Sequence, residues 1–522
     1  MFTTHTPVAA GFDAFAPSLV EKYARDLLAD CEIGLHDFLA LGRVDPSNDR
    51  EDFNMAYLAM RGCAQTSAVS RLHGATSRQL FAGLYRRWPL HEVPVRHVTN
   101  GVHVPSWDSS WADALWTRTC GKGRWLGDLS CLEAAVAASD DLTLWTLAAN
   151  QRSELVRYAR DRGAQQLLLR GESPEQVEQA LRMLDPNVLT VGMARRFTEY
   201  KRMDLLLHDV QRLVHLLTNA DRPVQLIIAG KAHPDDALGK QQIHAWVAFT
   251  QRPELGGRAV FLEDYDLALA QHLVEGVDVW INTPRRPWEA CGTSGMKILV
   301  NGGLNVSTLD GWWAEAYDAS CGWAIDGRGG DAEDAESLYR ILEDEVVPCF
   351  YDRDARGIPL QWVQRMRSSM SRLTPTFSSN RMLLDYTERF YLPAVSAFRQ
   401  RRSACDLATW SSQVTSHWHE VRFGDVDVRL EADRWRFRAH VYLGSVHPEW
   451  VRVEVYADGH DGSPVTCIRM DAGPAVAGTT GGLEFSTLIP ALRPANHYTL
   501  RVRPWREDVF LPAELPLITW QR

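Results

Sequence analysis

No two cysteines of this chain form a CxxC pair, and its nine cysteines, an odd number scattered from Cys31 to Cys467, are not interleaved with histidine at metal-ligand spacing. Neither a disulfide framework nor a zinc site is indicated, no metal is expected, and a reducing cytoplasm suits such thiols best. The opening MFTTHTPVAAGFDAF lacks the basic start and long apolar run of a secretory signal. No apolar stretch approaches the ~20 residues that cross a bilayer. Positive charge is also short: 56 Lys and Arg face 66 Asp and Glu, for a net charge of −10. Without a basic face the chain is not expected to hold nucleic acid or an anionic membrane.

What remains is an ordinary globular composition, 45% hydrophobic over 522 residues. Such a length suits roughly three domains. Within this acidic chain, cations gather after successive apolar runs. VLTVGM leads into ARRFTEYKR, residues 194–202, which carries Arg195, Arg196, Lys201 and Arg202; VQLIIAG leads into GKAHP, and VDVW into NTPRRPWEA. In an open parallel sheet these segments converge at the carboxyl ends of the strands, where such folds bind ligands. The third runs on into EACGTSGMK, residues 289–297. Gly292 permits a sharp turn there, Thr293 and Ser294 supply hydroxyls, and the free N–H groups of a helix start favour a phosphate. Lys297 can then condense with a carbonyl cofactor that carries its own phosphate. Taken alone, the nonamer reads more simply as a capped helix with a solvated lysine; three cationic segments after neighbouring strands fit that simpler reading poorly.

Between about 130 and 400, six short apolar runs (VLTVGMA, VQLIIAG, AVFLEDY, VDVWIN, LNVSTL, GWAID) have helix-period segments such as MDLLLHDVQRLVHLL and DDALGKQQIHAWVAF between several of them. This pattern predicts an α/β fold with a parallel, doubly wound sheet, closed by the helix DYTERFYLPAVSAFRQRR near 385–402. Residues 1 to about 120 read as loops and helices with no complete sheet, and their helices are expected to expose apolar faces. After Ala404 the period becomes two, in VDVRLEA, WRFRAHVYLG, WVRVEVYADG, LEFSTLIP and YTLRVRPW, with DGHDG as a hairpin turn. That is the pattern of an antiparallel β-sandwich of about 110 residues. It carries no catalytic constellation, and packing or oligomerisation is favoured over glycan binding despite Trp435 and Trp450.

FTTHTPVAAGFD, HVTNGVHVPSW, ARRFTEYKR, GKAHPDD, FLEDYD, NTPRRPWEACGTSGMK and STLDGWW follow one another from residue 2 to residue 313. In this order they resemble the α-glucan phosphorylases, the glycogen and starch phosphorylase family, and most of all its shorter bacterial branch. The resemblance implies a two-domain glycosyltransferase type B architecture with Rossmann-like halves. Residues 1–125 would be the remaining part of the N-terminal domain, 126–404 the domain for cofactor and phosphate, and 405–522 the β-sandwich. Family members begin well upstream of Met1. A large N-terminal portion, including a glycine-rich loop that approaches the phosphates, is therefore expected to be missing, and the isolated chain to be inactive or nearly so.

The implied reaction is phosphorolysis of terminal α-1,4-linked glucose of glycogen or maltodextrin by inorganic phosphate, yielding α-glucose 1-phosphate with retention. The implied cofactor is pyridoxal 5′-phosphate, whose phosphate exchanges a proton with the substrate phosphate. A phosphate with a second pKa near ~6 can do this at neutral pH, and two adjacent phosphates require several fixed cations. By resemblance, Lys297 carries the cofactor, with Arg195, Thr293 and Ser294 around its phosphate. Arg196 and Lys201 bind the substrate phosphate, Tyr200, Glu289 and the Gly292 backbone meet the sugar, and His73 of SRLHG lies at the glucosyl site. Taken alone, His73 reads as a packing or capping histidine. Arg195 stands where animal and plant members carry lysine, and Cys291 where serine is usual. Two other readings stay open. One is a sugar-nucleotide-dependent glycosyltransferase of similar architecture, using the cations for a diphosphate; the other is a non-catalytic remnant or partner subunit. A homo-oligomer is compatible with all three.

Overall fold

The six apolar runs of the middle of the chain form one parallel sheet in the computed structural model, which describes residues 1–129, 132–401, 404–459, 464–479 and 481–521. Across the sheet the strands lie in the order Gly322–Ile325, Leu304–Thr308, Val279–Asn282, Leu189–Ala194, Val224–Ala229 and Ala259–Leu262, every pair parallel. Their side chains are buried almost without interruption because the sheet is covered on both faces. Leu226 and Ile228 join one apolar cluster while Ile227 and Ala229, pointing the other way, join a second. In chain order the sheet's first strand lies beside its fourth, Val191 opposite Val279. From that pair the chain winds outward in both directions, which makes it the switch point where doubly wound sheets open a crevice.

The first part of the chain holds a sheet that the sequence reading does not anticipate. Phe2–Thr3, Thr66–Ala68 and Val95–His97 pair in parallel, with Thr66–Ala68 central. Strands of two or three residues, partly built from Thr, Ser and His, are too short for periodicity to register. The expected exposed apolar faces are present: on the helix Pro17–Asp30, Leu19 is 42%, Tyr23 75% and Leu27 59% exposed. The helix Ser110–Cys120 falls before the boundary expected at 125, yet it packs into the larger core. Its Trp116 is fully buried there and donates Nε1–H to the Val300 carbonyl at 2.9 Å.

The helix expected near 385–402 is observed over residues 379–400 with a π-helical middle, Thr387–Tyr391. It reaches back to the first part of the chain: Gln65 Nε2 donates to the Phe390 carbonyl at 3.1 Å, and the Arg96 guanidinium lies 4.1 Å from the Phe390 ring centre. The alternating strands do not begin directly after Ala404, because Ala404–His417 is a helix whose Trp410 and Val414 plug the apolar cluster beyond it. Two four-stranded antiparallel sheets follow, one ordered Arg422–Glu431, Arg434–Tyr442, Gly482–Pro490, Asp471–Ala475, the other Thr466–Arg469, Val451–Ala457, Thr499–Pro504, Thr519–Trp520. A single cluster including Phe437, Val441, Val453 and Val502 draws on both. The turn expected at 458–462 lies partly outside the described residues. Trp435 and Trp450 are partly buried against this cluster, and the Trp435 indole donates to the Arg493 carbonyl at 2.9 Å, so both serve packing. Among the described residues no helix is long and apolar enough to cross a membrane, no His, Cys, Asp and Glu cluster could hold a metal, and the eight cysteines are free.

Candidate active site

Strand Leu189–Ala194 delivers Arg195 to the switch point, and the loop after Val279–Asn282 delivers Glu289 to the same place. Residues far apart in sequence therefore meet. Glu289 Oε2 accepts from Lys201 Nζ at 2.8 Å and from Arg195 Nη2 at 3.1 Å, all three side chains being largely buried. Burial pushes the Glu289 carboxyl up, but Arg195 and Lys201 outweigh it and hold the group below its ordinary value. Lys201 also falls below its ordinary value, here against its charged form: desolvation, followed by repulsion from Arg195, brings the ammonium down to about 8 although Glu289 opposes this. The same ammonium lies 4.8 Å from the centre of the Tyr200 ring. Desolvation pushes the Tyr200 hydroxyl up to about 12, with a hydrogen bond from Arg196 pulling the other way. Arg195, Lys201 and Glu289 thus form a largely buried electrostatic cluster, with Tyr200 partly buried beside it and Arg196 exposed at its edge.

Two of the expected cations go elsewhere. Arg202 turns away, donating to Asp334 at 2.6 Å, Asp331 at 3.1 Å and the Thr283 carbonyl at 2.9 Å, and so ties the cationic loop to the neighbouring strand end. GKAHP adds no charge to the cluster, since Lys231 is exposed and pairs at 3.7 Å with Asp264. Its contribution is steric: a Cβ on Gly230 would lie 2.2 Å from the Arg195 carbonyl oxygen, so only glycine lets that chain pass.

The loop before Lys297 is held by one acid. Asp310 accepts the Glu289 N–H at 2.9 Å and the Gly311 N–H at 2.8 Å, and desolvation pushes it up to about 7 against those donors. Gly311 adopts φ +50°, and a Cβ there would be 2.3 Å from the Cys291 carbonyl oxygen. Gly292, at φ +80°, makes the turn itself. Thr293 is the N-cap of the single turn Ser294–Lys297 and uses no side-chain cap, whereas the Ser294 hydroxyl accepts from Trp280 Nε1 at 3.2 Å and donates to Asn282 Oδ1 at 3.4 Å. Lys297 Nζ lies 3.8 Å from the centre of the Trp107 ring, and burial lowers its basicity. No carboxylate among the described residues pairs with it.

These features fit a phosphorylated aldehyde. A desolvated, uncommitted lysine is a nucleophile for a carbonyl group, and Arg195 keeps Nε and Nη1 buried without hydrogen-bond partners, donors that an added phosphate can use. Trp107 and Asp310 were missed as site residues by sequence reasoning. Both sit in motifs that stand out, HVPSW and STLDGWW, but nothing local says that one underlies Lys297 and the other pins Glu289.

His73 lies one turn into the helix Arg71–Phe81, whose N-cap Ser70 accepts the His73 N–H at 3.1 Å and donates its hydroxyl to the Ala290 carbonyl at 2.6 Å. The helix is thereby docked on the loop between Glu289 and Lys297. The imidazole itself, 1% exposed, takes the Val69 N–H on Nδ1 at 3.3 Å. Desolvation lowers its basicity and the nearby His5 adds to this, against the Thr6 backbone. No contact joins it to Glu289, Lys201 or Lys297 among the described residues.

Residues 35–323 match the family model described as carbohydrate phosphorylase, and residues 418–522 the one described as glycogen phosphorylase C-terminal domain. The chain is similar to a glycogen phosphorylase of Mycobacterium tuberculosis, with 38% identity covering 99% of this chain and 63% of that protein. It is also similar to a maltodextrin phosphorylase of Thermococcus litoralis, 34% identical over 100% of this chain and 63% of the relative. A glycogen phosphorylase of Aquifex aeolicus is 39% identical over 75% of this chain and 57% of its own length. The chain thus spans about 63% of the length of the first two of these relatives.

Proposed function

Because the chain belongs to the carbohydrate phosphorylase family, we propose that it carries the cofactor- and phosphate-binding machinery of an α-glucan phosphorylase. The reaction is attack of inorganic phosphate on the terminal α-1,4-linked glucose of glycogen or maltodextrin, giving α-glucose 1-phosphate with retention. The observation that carries this reading is the convergence of Lys201 and Arg195 on Glu289 at the switch point of the sheet.

In this reading Lys297 holds pyridoxal 5′-phosphate, with Arg195, Thr293 and Ser294 around its phosphate. When bound, that group supplies a phosphate with a second pKa near ~6, able to exchange a proton with the substrate phosphate at neutral pH. Arg196 and Lys201 bind the substrate phosphate, and their fixed positive charge offsets the repulsion between two neighbouring anions. Tyr200, Glu289 and the Gly292 backbone orient the glucosyl ring. Glu289 has to give up Lys201 as phosphate enters, which frees its carboxylate for sugar hydroxyls. His73 belongs to the glucosyl site through the Ser70 contact to Ala290. The architecture is of glycosyltransferase type B, with domains at 1–125, 126–404 and 405–522, the helix Ser110–Cys120 resting on the second and the last being a β-sandwich. The free cysteines suit a cytoplasmic location.

The test is release of glucose 1-phosphate from maltodextrin, as inorganic phosphate is varied, by protein loaded with pyridoxal 5′-phosphate and assayed with and without a supplied N-terminal portion of the kind its longer relatives carry. Phosphate-dependent release supports the reading. Glucosyl transfer from a sugar nucleotide without need of phosphate or pyridoxal phosphate would overturn it.

A further inference from the structure

Away from this cleft, a cavity of about 530 Å³ opens where the first part of the chain, the 379–400 helix and the second antiparallel sheet meet. Five arginines line it from four elements: Arg78 from the helix Arg71–Phe81, Arg96 from the strand Val95–His97, Arg389 from Thr387–Tyr391, and Arg501 and Arg503 from Thr499–Pro504. The last two are neutralised within the protein. Arg501 donates to both oxygens of Glu92 at 2.7 and 2.8 Å and to Glu454 at 2.8 Å, and Arg503 pairs with the other oxygen of Glu454 at 2.8 Å.

The other three have no such answer. Among the described residues none of Arg78, Arg96 and Arg389 pairs with a carboxylate. Arg78 donates to the Val95 carbonyl at 2.9 Å, and Arg96 to the Gln65 side chain. The nearby Asp385 is already bound to Arg381 at 2.9 Å. The charges also repel one another: after burial, Arg389 is the next cause that lowers Arg96, and Arg389, Arg78 and Arg71 together depress His97. Arg96 and Arg389 are exposed and Arg78 is half-buried, so water screens part of this repulsion; an anion held between the three guanidinium groups would relieve the rest.

We infer that this cavity is a second anion site, built for the phosphoryl group of a small phosphomonoester. Guanidinium forks match phosphate oxygens two at a time, which a set of lysines would not do. The cavity has the size of an ordinary small-ligand site and is larger than a phosphate alone needs. Trp88 and His91 on its wall offer a surface for a sugar-sized remainder. Its limited extent suits a small ligand better than a polyanion, which would need a continuous basic track. The Arg501–Glu92 clasp forms part of the same wall, so a bound ligand would tie the first part of the chain to the C-terminal sheets.

The experiment is calorimetric titration of the 522-residue protein with ribose 5-phosphate and with inorganic phosphate. A background of Arg196→Ala, Lys201→Ala and Lys297→Ala silences the cleft, including the lysine that could condense with the sugar aldehyde. The expected result is one saturable site for ribose 5-phosphate, weakened about tenfold or more by Arg389→Glu and largely restored by Arg389→Lys, as for a charge-assisted contact. Arg78→Gln, on a different element, should weaken it too, and thermal melting establishes that each variant is folded. Absence of saturable binding, affinity unchanged from the parent background in Arg389→Glu and Arg78→Gln, or binding of heparin alone would overturn the proposal.

Discussion

Lys201 Nζ and Glu289 Oε2 stand 2.8 Å apart at the switch point of the central sheet, so the protein's own carboxylate covers the cation that the proposed chemistry needs. One carboxylate does not balance the site. Arg195 contacts the same oxygen and Arg196 acts on both partners, leaving net positive charge in a largely desolvated place. A phosphate brings more charge and more acceptor oxygens than a carboxylate, so exchange of one for the other is favoured.

Glu289→Gln should release both cations from competition. Inorganic phosphate is expected to bind about tenfold more tightly, the scale of one close charge pair in a desolvated site, while turnover falls because a sugar contact is lost. Calorimetry and initial rates read the two effects separately. Weaker phosphate binding in the variant would show that the carboxylate assists the anion rather than competing with it.

In a chain completed at its N-terminus, Arg196→Ala and Lys201→Ala should each impair use of phosphate by about 3 kcal/mol, roughly a hundredfold or more in rate, since each removes a preorganised cation from a developing charge. Binding of maltodextrin should be nearly unchanged. Equal losses for glucan and phosphate would contradict the assigned roles.

The Lys201 ammonium, brought down to about 8, sets a pH dependence. Its folded value lies below the ordinary 10.5, so the charged form costs folding free energy below about 8, and that cost fades as pH rises toward 10.5. For binding the sign is the reverse, because the cation that attracts phosphate is lost as pH rises through about 8. Phosphate affinity should fall across that range and be accompanied by proton uptake, measurable in buffers of different ionisation enthalpy. Lys201→Arg should carry binding to higher pH, since guanidinium keeps its proton. An unchanged profile in that variant would assign the titration to another group.

Lys297 should be the residue that takes up pyridoxal 5′-phosphate. Borohydride reduction of loaded protein, followed by digestion and mass spectrometry, is expected to place the label on the peptide containing Lys297, with Lys297→Ala unlabelled. Label on a different lysine would refute the assignment. Replacing Trp107 by Ala should slow loading without abolishing it, because the ring packs 3.8 Å from the amine but does not react.

Arg152 and Asp278 form a buried ion pair, each side chain 3% exposed, beneath the central sheet. Asp278 also accepts the Thr190 N–H at 2.8 Å, and Arg152 donates to the Pro186 carbonyl at 2.7 Å. Arg152→Ala leaves a buried carboxylate without its partner and should cost about 3–5 kcal/mol, read as a lower midpoint in urea unfolding. A loss below about 1 kcal/mol, the range of exposed pairs, would mean that water reaches Asp278.

Much of the fold was legible because burial leaves a local trace. Runs such as VQLIIAG are apolar without alternation, which only a strand covered on both faces requires, and all six such runs are strands of one parallel sheet. The alternating runs after residue 420 are likewise strands, each with one face in a shared core. Where the trace is too short or conflicts with its surroundings the reading failed, as with Thr66–Ala68 and with the helix Ala404–His417.

At the candidate site the sequence by itself determined which charges lie at the ends of which strands. It did not determine what each charge would meet. Arg195, Lys201 and Arg202 leave the same loop, yet two of them reach Glu289 and the third turns to Asp334. Lys297 comes to rest on Trp107, and Asp310 pins the backbone of Glu289. The meeting of Arg195 and Lys201 with Glu289 exists only because the first and fourth strands of the sheet are neighbours. Strand order is settled by how the crossover helices pack over both faces. Periodicity records which side chains are buried and is silent about which distant segment lies beside them, so tertiary structure alone decided the partners.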